Sequence, residues 1–128
     1  MKDNNLIVMI DDDEDDHEFF EIALSEINKP VKCLYFPDFK HAIEHFSKDD
    51  ANAPRLVFID INLPSVSGPE CLIELQKLSE FDHPCIVIHS ATIPVEWQPG
   101  LKAIGVDKFV EKSSSIPLLA EKLQQLLA

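Results

Sequence analysis

Two short apolar runs, each ending on a carboxylate, constrain this chain more than any other feature. Leu6-Ile7-Val8-Met9-Ile10 runs into Asp11-Asp12-Asp13-Glu14-Asp15-Asp16, and Leu56-Val57-Phe58-Ile59 runs into Asp60. Unbroken runs of β-prone residues read as strands buried on both faces, the mark of a parallel sheet lying between helices. A carboxylate cannot stay unpaired in such a core, so Asp11 and Asp60 belong at the carboxyl ends of their strands. In open α/β sheets that edge is where ligands bind. Taken alone, Asp60 still reads most simply as a strand-terminating residue that caps the next turn.

The rest of the chain alternates in the same way. After the acidic run, Phe20, Ala23, Leu24 and Ile27 fall at helical spacing, with Asp15, Glu18, Glu21 and Ser25 on the other face. The acids of the first turn suit the positive end of the helix dipole, which accounts for most of them. Val31 to Phe36 reads as a second strand, and Pro37 and Asp38 open a helix carrying His41, Ala42, His45 and Phe46. Past Asp60, Ser65-Val66-Ser67-Gly68 predicts a turn into a helix with Leu72, Leu75 and Leu78 in one stripe; Pro84 to Ile88 is a fourth strand, with His89 and Ser90 after it. Pro94, Pro99 and Gly100 punctuate the next stretch, so a helix there should be short, starting near Pro99 or broken there, with Trp97 left in a loop. Val106 to Val110 is a fifth strand, and Ser115 caps a last helix facing the core with Leu119, Leu123, Leu126 and Leu127. Five strands alternating with five helices predict one domain over residues 1–128: a parallel sheet with helices on both faces.

Composition narrows the partners. The 128 residues suffice for one compact core, and 45% hydrophobic with 27% charged residues is ordinary for a globular protein. The net charge of -12 is not ordinary, and it argues against nucleic acid and anionic membranes as ligands. The first ten residues are too short and too acidic for a signal peptide or a membrane span, which predicts a cytoplasmic protein. Cys33, Cys71 and Cys85 are odd in number, far apart and set in apolar contexts, so three reduced, buried thiols are expected.

The convergence expected at the sheet edge has chemical consequences. Asp11, Asp12 and Asp60 packed together repel unless a cation intervenes, and oxygen-only ligands favour Mg²⁺ shared with a phosphate. A carboxylate beside such a metal can attack phosphorus to give an aspartyl phosphate. Lys112, just past the fifth strand, supplies positive charge for phosphoryl oxygens, and Ser90 supplies a small hydrogen-bond donor.

In these residues the chain resembles the receiver domains of two-component response regulators, from about Leu6 to Leu127, and is most similar to the small stand-alone receivers paired with bacterial phytochromes. The family's acidic pair matches Asp11 and Asp12, its phosphorylated aspartate Asp60, its switch hydroxyl Ser90, its lysine Lys112 and its switch aromatic Phe109. Leu63-Pro64 and Gly68 match the loop after the phosphoacceptor, and Asn62 would give its backbone carbonyl to the metal. The resemblance implies a three-layer flavodoxin-like α/β fold with five parallel strands in the order 2-1-3-4-5 and five helices. It implies Mg²⁺ on Asp11, Asp12, Asp60 and the Asn62 carbonyl, and a phosphoryl group passing from a histidine kinase or histidine phosphotransfer protein to Asp60. Lys112 would steady its oxygens, while Ser90 and Phe109 would carry the change to a separate downstream protein; a homodimer and a role as phosphate relay stay open.

Several positions depart from the family pattern or invite other readings. His89 stands just before the switch residue; the alignment could slide to put it in the switch slot, but the spacings to Asp60 and Lys112 fit Ser90. His89 is expected as a strand-end side chain with a satisfied hydrogen bond, with a role near the phosphate as the alternative. Ser113 replaces the proline usual after the lysine, so the Lys112–Ser113 peptide is either trans or strained. Trp97 is either a partner anchor or folded back on the core. His41 and His45 have metal-ligand spacing but no third ligand, which favours a solvated helix face. The competing functions are a Mg²⁺-dependent phosphohydrolase with an aspartyl-phosphate intermediate, disfavoured because Asn62 stands where such enzymes carry a second aspartate, and a degenerate receiver that only binds.

Overall fold

The computed structural model describes residues 5–48, 50–60 and 68–127. In chain order the elements are β1 (Asn5–Ile10), α1 (Glu14–Ser25), β2 (Val31–Phe36), α2 (Phe39–Phe46), β3 (Leu56–Ile59), α3 (Gly68–Gln76), β4 (Cys85–Ser90), α4 (Gln98–Ala103), β5 (Lys108–Glu111) and α5 (Ile116–Leu127). All strand pairings are parallel, and the sheet order is β2-β1-β3-β4-β5. This is the flavodoxin-like order expected from the resemblance.

Alternation along the buried strands divides the core in two, because successive side chains point to opposite faces. Val8, Ile10, Val57, Ile59, Ile86 and Ile88 face α2, α3 and α4. Ile7, Met9, Leu56, Phe58 and Val87 face α1 and α5. The apolar stripes read from the sequence supply the cover: Phe20, Ala23 and Leu24 from α1, Leu72 and Leu75 from α3, and Leu119, Leu123 and Leu127 from α5 are all buried.

Helix ends follow local chemistry. The Asp13 carboxylate accepts from the Asp15 N–H at 2.9 Å and caps α1, Asp38 caps α2 by accepting from the His41 N–H at 2.9 Å, and Ser115 Oγ accepts from the Leu118 N–H at 3.2 Å ahead of α5. Between α3 and α4, Gln76 Nε2 donates to the Ile104 carbonyl at 2.7 Å. Gly105, at φ +111°, leaves room for that amide, which a Cβ there would meet at 2.4 Å.

The structure corrects several expectations. β4 is longer than predicted, so His89 and Ser90 are its last two residues and pair with Val110 and Glu111. Val106 is buried but precedes β5, its N–H turned to the Leu101 carbonyl at 3.1 Å. Leu78 lies beyond the end of α3. Trp97 is not in a loop: it closes a 3₁₀ turn, Val95–Trp97, with its N–H on the Pro94 carbonyl at 3.1 Å. α4 is six residues long and begins one residue before Pro99, since a proline tolerates the first turn of a helix but not its interior. The described peptide bonds are all trans, Lys112–Ser113 included. Of the cysteines only Cys71 is buried; Cys33 and Cys85 are half-buried, and all three are free.

Candidate functional site at the carboxyl edge of the sheet

The strand ladders bring the predicted acids together. The Asp60 N–H donates to the Ile10 carbonyl at 3.1 Å, which fixes the residue after β3 beside the residue after β1. One carboxylate oxygen each of Asp11, Asp12 and Asp60 then lies within 4.8 Å of the others, with Asp11 and Asp60 buried and Asp12 exposed. Across the sheet the Lys112 N–H donates to the Ser90 carbonyl at 2.8 Å, which aims the lysine back over the same edge.

Lys112 is the centre of charge. Its Nζ lies 2.9 Å from Asp60 Oδ2, 3.0 Å from Asp11 Oδ2 and 2.5 Å from Asp16 Oδ2. Ser90, fully buried, donates from Oγ to Asp60 Oδ1 at 3.2 Å. Burial works against the charge on Lys112, but the hydrogen bonds to Asp16, Asp60 and Asp11 outweigh it and hold the ammonium above its ordinary pKa. Burial pushes Asp11 the other way for a carboxylate, upward, against the pull of the Asp13 N–H and Lys112. The Asp13 N–H donates to Asp11 Oδ1 at 3.0 Å, and His17 Nε2 lies 2.7 Å from the Asp11 carbonyl oxygen.

Two features escaped the sequence. The helix-dipole reading of the acidic run hides Asp16, which makes the shortest contact to Lys112 from the first turn of α1 and carries no local signal that sets it apart from its acidic neighbours. His89 does not find the hydrogen bond expected of it. It is 5% exposed, neither ring nitrogen has a hydrogen-bond partner among the described residues, and the ring packs edge-on against Phe58 with Phe20 beyond, on the α1/α5 side of the sheet. Burial, with Lys112 adding to it, lowers its pKa to about 4, so the imidazole is neutral.

The remaining predicted residues divide. Phe109 is half-buried on β5 against the α2/α3/α4 core, with Lys102 Nζ 5.9 Å from its ring centroid. The Asn62 carbonyl and the Leu63-Pro64 loop lie outside the described residues. Trp97, 49% exposed, borders a cavity of about 450 Å³ that reaches from Asp60 past Leu72 and Ile88 to Leu101 and Ile104. His41 turns to Asp38 at 2.7 Å, and His45 rests against Phe36 and Phe46.

Residues 7–124 match the model of the response regulator receiver domain. The chain belongs to the response regulator receiver family. Receiver domains are, in general, phosphoacceptors that work with histidine kinases or phosphotransfer proteins, not enzymes on a separate substrate. Solved structures agree in fold with this receiver. The phosphorylated cyanobacterial phytochrome response regulator RcpA has a TM-score of 0.79 at 20% identity, over 96% of this chain and 91% of that one. The Mn²⁺-bound form of response regulator Rcp1 gives 0.77 at 17% identity, over 95% and 91%. The Vibrio cholerae chemotaxis protein CheY4 gives 0.76 at 18% identity, over 96% and 98%. No described helix of the receiver is long and apolar enough to cross a membrane.

Proposed function

We propose that Asp60 is the phosphoacceptor of a receiver that signals through altered protein contacts, and that Asp11, Asp12 and Asp60, with the backbone carbonyl of Asn62, hold Mg²⁺. The observation that carries this reading is the pairing of Asp60 with both Lys112 and Ser90 beside two further carboxylates. The donor set fits a hard divalent cation, since all its atoms are oxygens and the cluster holds more negative charge than one ammonium offsets. Bound there, Mg²⁺ would neutralise charge between these carboxylates and a phosphoryl group. The manganese carried by Rcp1, of the same fold, is in keeping with that assignment.

The chain's own residues supply the rest. Asp60 attacks phosphorus through Oδ2 as the donor's bond to it breaks. Lys112, already 2.9 Å from that oxygen, pairs with the phosphoryl oxygens as charge builds on them. Ser90 keeps its hydroxyl on the same group and follows it, which biases a pre-existing equilibrium around Phe109 and α4. The acidic surface suits a donor and a target with basic patches, and the same site permits slow loss of the phosphoryl group to water. The reading takes the chain as one domain acting in the cytoplasm. Acetyl phosphate with Mg²⁺ should label the wild type stoichiometrically on a phosphate-affinity gel, and Asp60→Asn should abolish the label while keeping the circular dichroism of the fold. A label that survives Asp60→Asn would sink the assignment, and sustained turnover of phosphate esters would favour the phosphohydrolase.

A further inference from the structure

We infer that Asp16 is a positioning residue for the phosphotransfer: it tethers the Lys112 ammonium over Asp60 from the first turn of α1. The inference rests on the phosphoacceptor reading of Asp60. Asp16 Oδ2 lies 2.5 Å from Lys112 Nζ, closer than either Asp11 or Asp60, and the pair joins residues 96 apart in sequence. Helix capping does not account for it, because Asp13 already caps α1. Cation binding does not account for it either: among the described residues the carboxylates close enough to share an ion are Asp11, Asp12 and Asp60, and Asp16 is outside that group.

The chemistry shows why a separate anchor matters. When Asp60 takes the phosphoryl group, one of its oxygens forms the new bond to phosphorus and acetate leaves from acetyl phosphate. The charge that held Lys112 on the Asp60 carboxylate thereby moves out onto the phosphoryl oxygens, so the ammonium exchanges its Asp60 contact for a phosphoryl one. Asp11 would be taken up in holding Mg²⁺. Asp16 is the one of the three carboxylates that neither reacts nor ligates, so it can hold the ammonium before, during and after transfer. A lysine has four rotatable side-chain bonds, and without such a tether its head spreads over many rotamers.

The test is a double-mutant cycle on the rate of Asp60 labelling by acetyl phosphate at saturating Mg²⁺. Asp16→Asn should slow labelling about tenfold through the misplaced ammonium, and Asp16→Glu, which keeps the charge, should recover most of that loss. On a Lys112→Ala background, Asp16→Asn should change nothing further, because its effect passes through the lysine. Urea unfolding of the same four proteins in EDTA gives a metal-free readout, in which the two substitutions should couple and not add. Wild-type labelling with an Asp16→Asn rate equal to wild type, or losses that multiply independently in the double variant, would overturn the tether and leave the phosphoacceptor intact. Failure of the wild type to label at Asp60 would instead take down the phosphoacceptor reading, and the tether with it.

Discussion

α5 and α4 cover the β4–β5 end of the same sheet from opposite sides, yet they are held very differently. α5 spans twelve residues, starts from a Ser115 cap and buries Leu119, Ala120, Leu123 and Leu127. α4 spans six, has no side-chain cap, carries Pro99 and Gly100, and buries no residue fully. Leu101 and Ile104 are only partly covered, and the cavity that reaches Asp60 runs beneath them. Local opening costs least where buried contacts are fewest, so a change at Asp60 reaches the surface more cheaply through α4 than through α5.

That contrast can be broken at several strengths. Leu123→Ala, at a fully buried site, should cost 2–5 kcal/mol, roughly the range for leucine truncation in a core. Leu101→Ala on α4 should cost about 1 kcal/mol or less, since half-buried side chains contribute proportionally less area. Equal losses in urea unfolding would erase the distinction between the helices.

The tightly packed side has its own weak point in His89. The folded protein keeps it neutral with a pKa near 4, whereas the unfolded chain protonates it from 6.5 downward. The unfolded state therefore binds the extra proton, and stability present above pH 6.5 is lost as pH falls toward 4, by up to about 3 kcal/mol. His89→Leu should flatten this acid limb and, by removing an unpartnered polar group, stabilise the protein at pH 5. An unchanged pH profile in that variant would assign the acid sensitivity to the carboxylates.

Hydrogen exchange should then separate the two helices directly. α4 amides are expected to exchange through local openings at least about 1 kcal/mol easier than those of α5, which follow global unfolding. Matching protection would show α4 to be as fixed as α5. The smallest effect belongs to Gly100→Ala: nothing lies within 4 Å of the added Cβ, and alanine should gain about 0.5–1 kcal/mol over glycine in a helix. A fall in Tm would mean that the space beside Gly100 is used.

The sheet was legible because its signals are local. Unbroken apolar runs mark buried strands wherever they sit, and the acids after β1 and β3, with Ser90 and Lys112 after them, fall at the same edge once the strands are parallel. Asp16 was not legible, because six consecutive acidic residues all suit a helix N-terminus, and nothing local says which one meets a lysine 96 residues away. His89 failed differently: a polar residue at a strand end normally finds a partner, and only the packing of Phe20 and Phe58 around the ring accounts for its having none among the described residues. Trp97 was hidden by the prolines, which signal a break but not the 3₁₀ turn that precedes one.

By itself, then, the sequence determined the alternating elements, the parallel sheet and the edge at which Asp11, Asp12, Asp60, Ser90 and Lys112 gather, since period and burial are set by neighbours in the chain. Tertiary structure decided the pairings: Lys112 shared among Asp11, Asp16 and Asp60, Ser90 on Asp60, and His89 neutral against Phe58 and Phe20. Those depend on how helices seat on the sheet, and interactions between residues far apart in the chain carry no periodic signature.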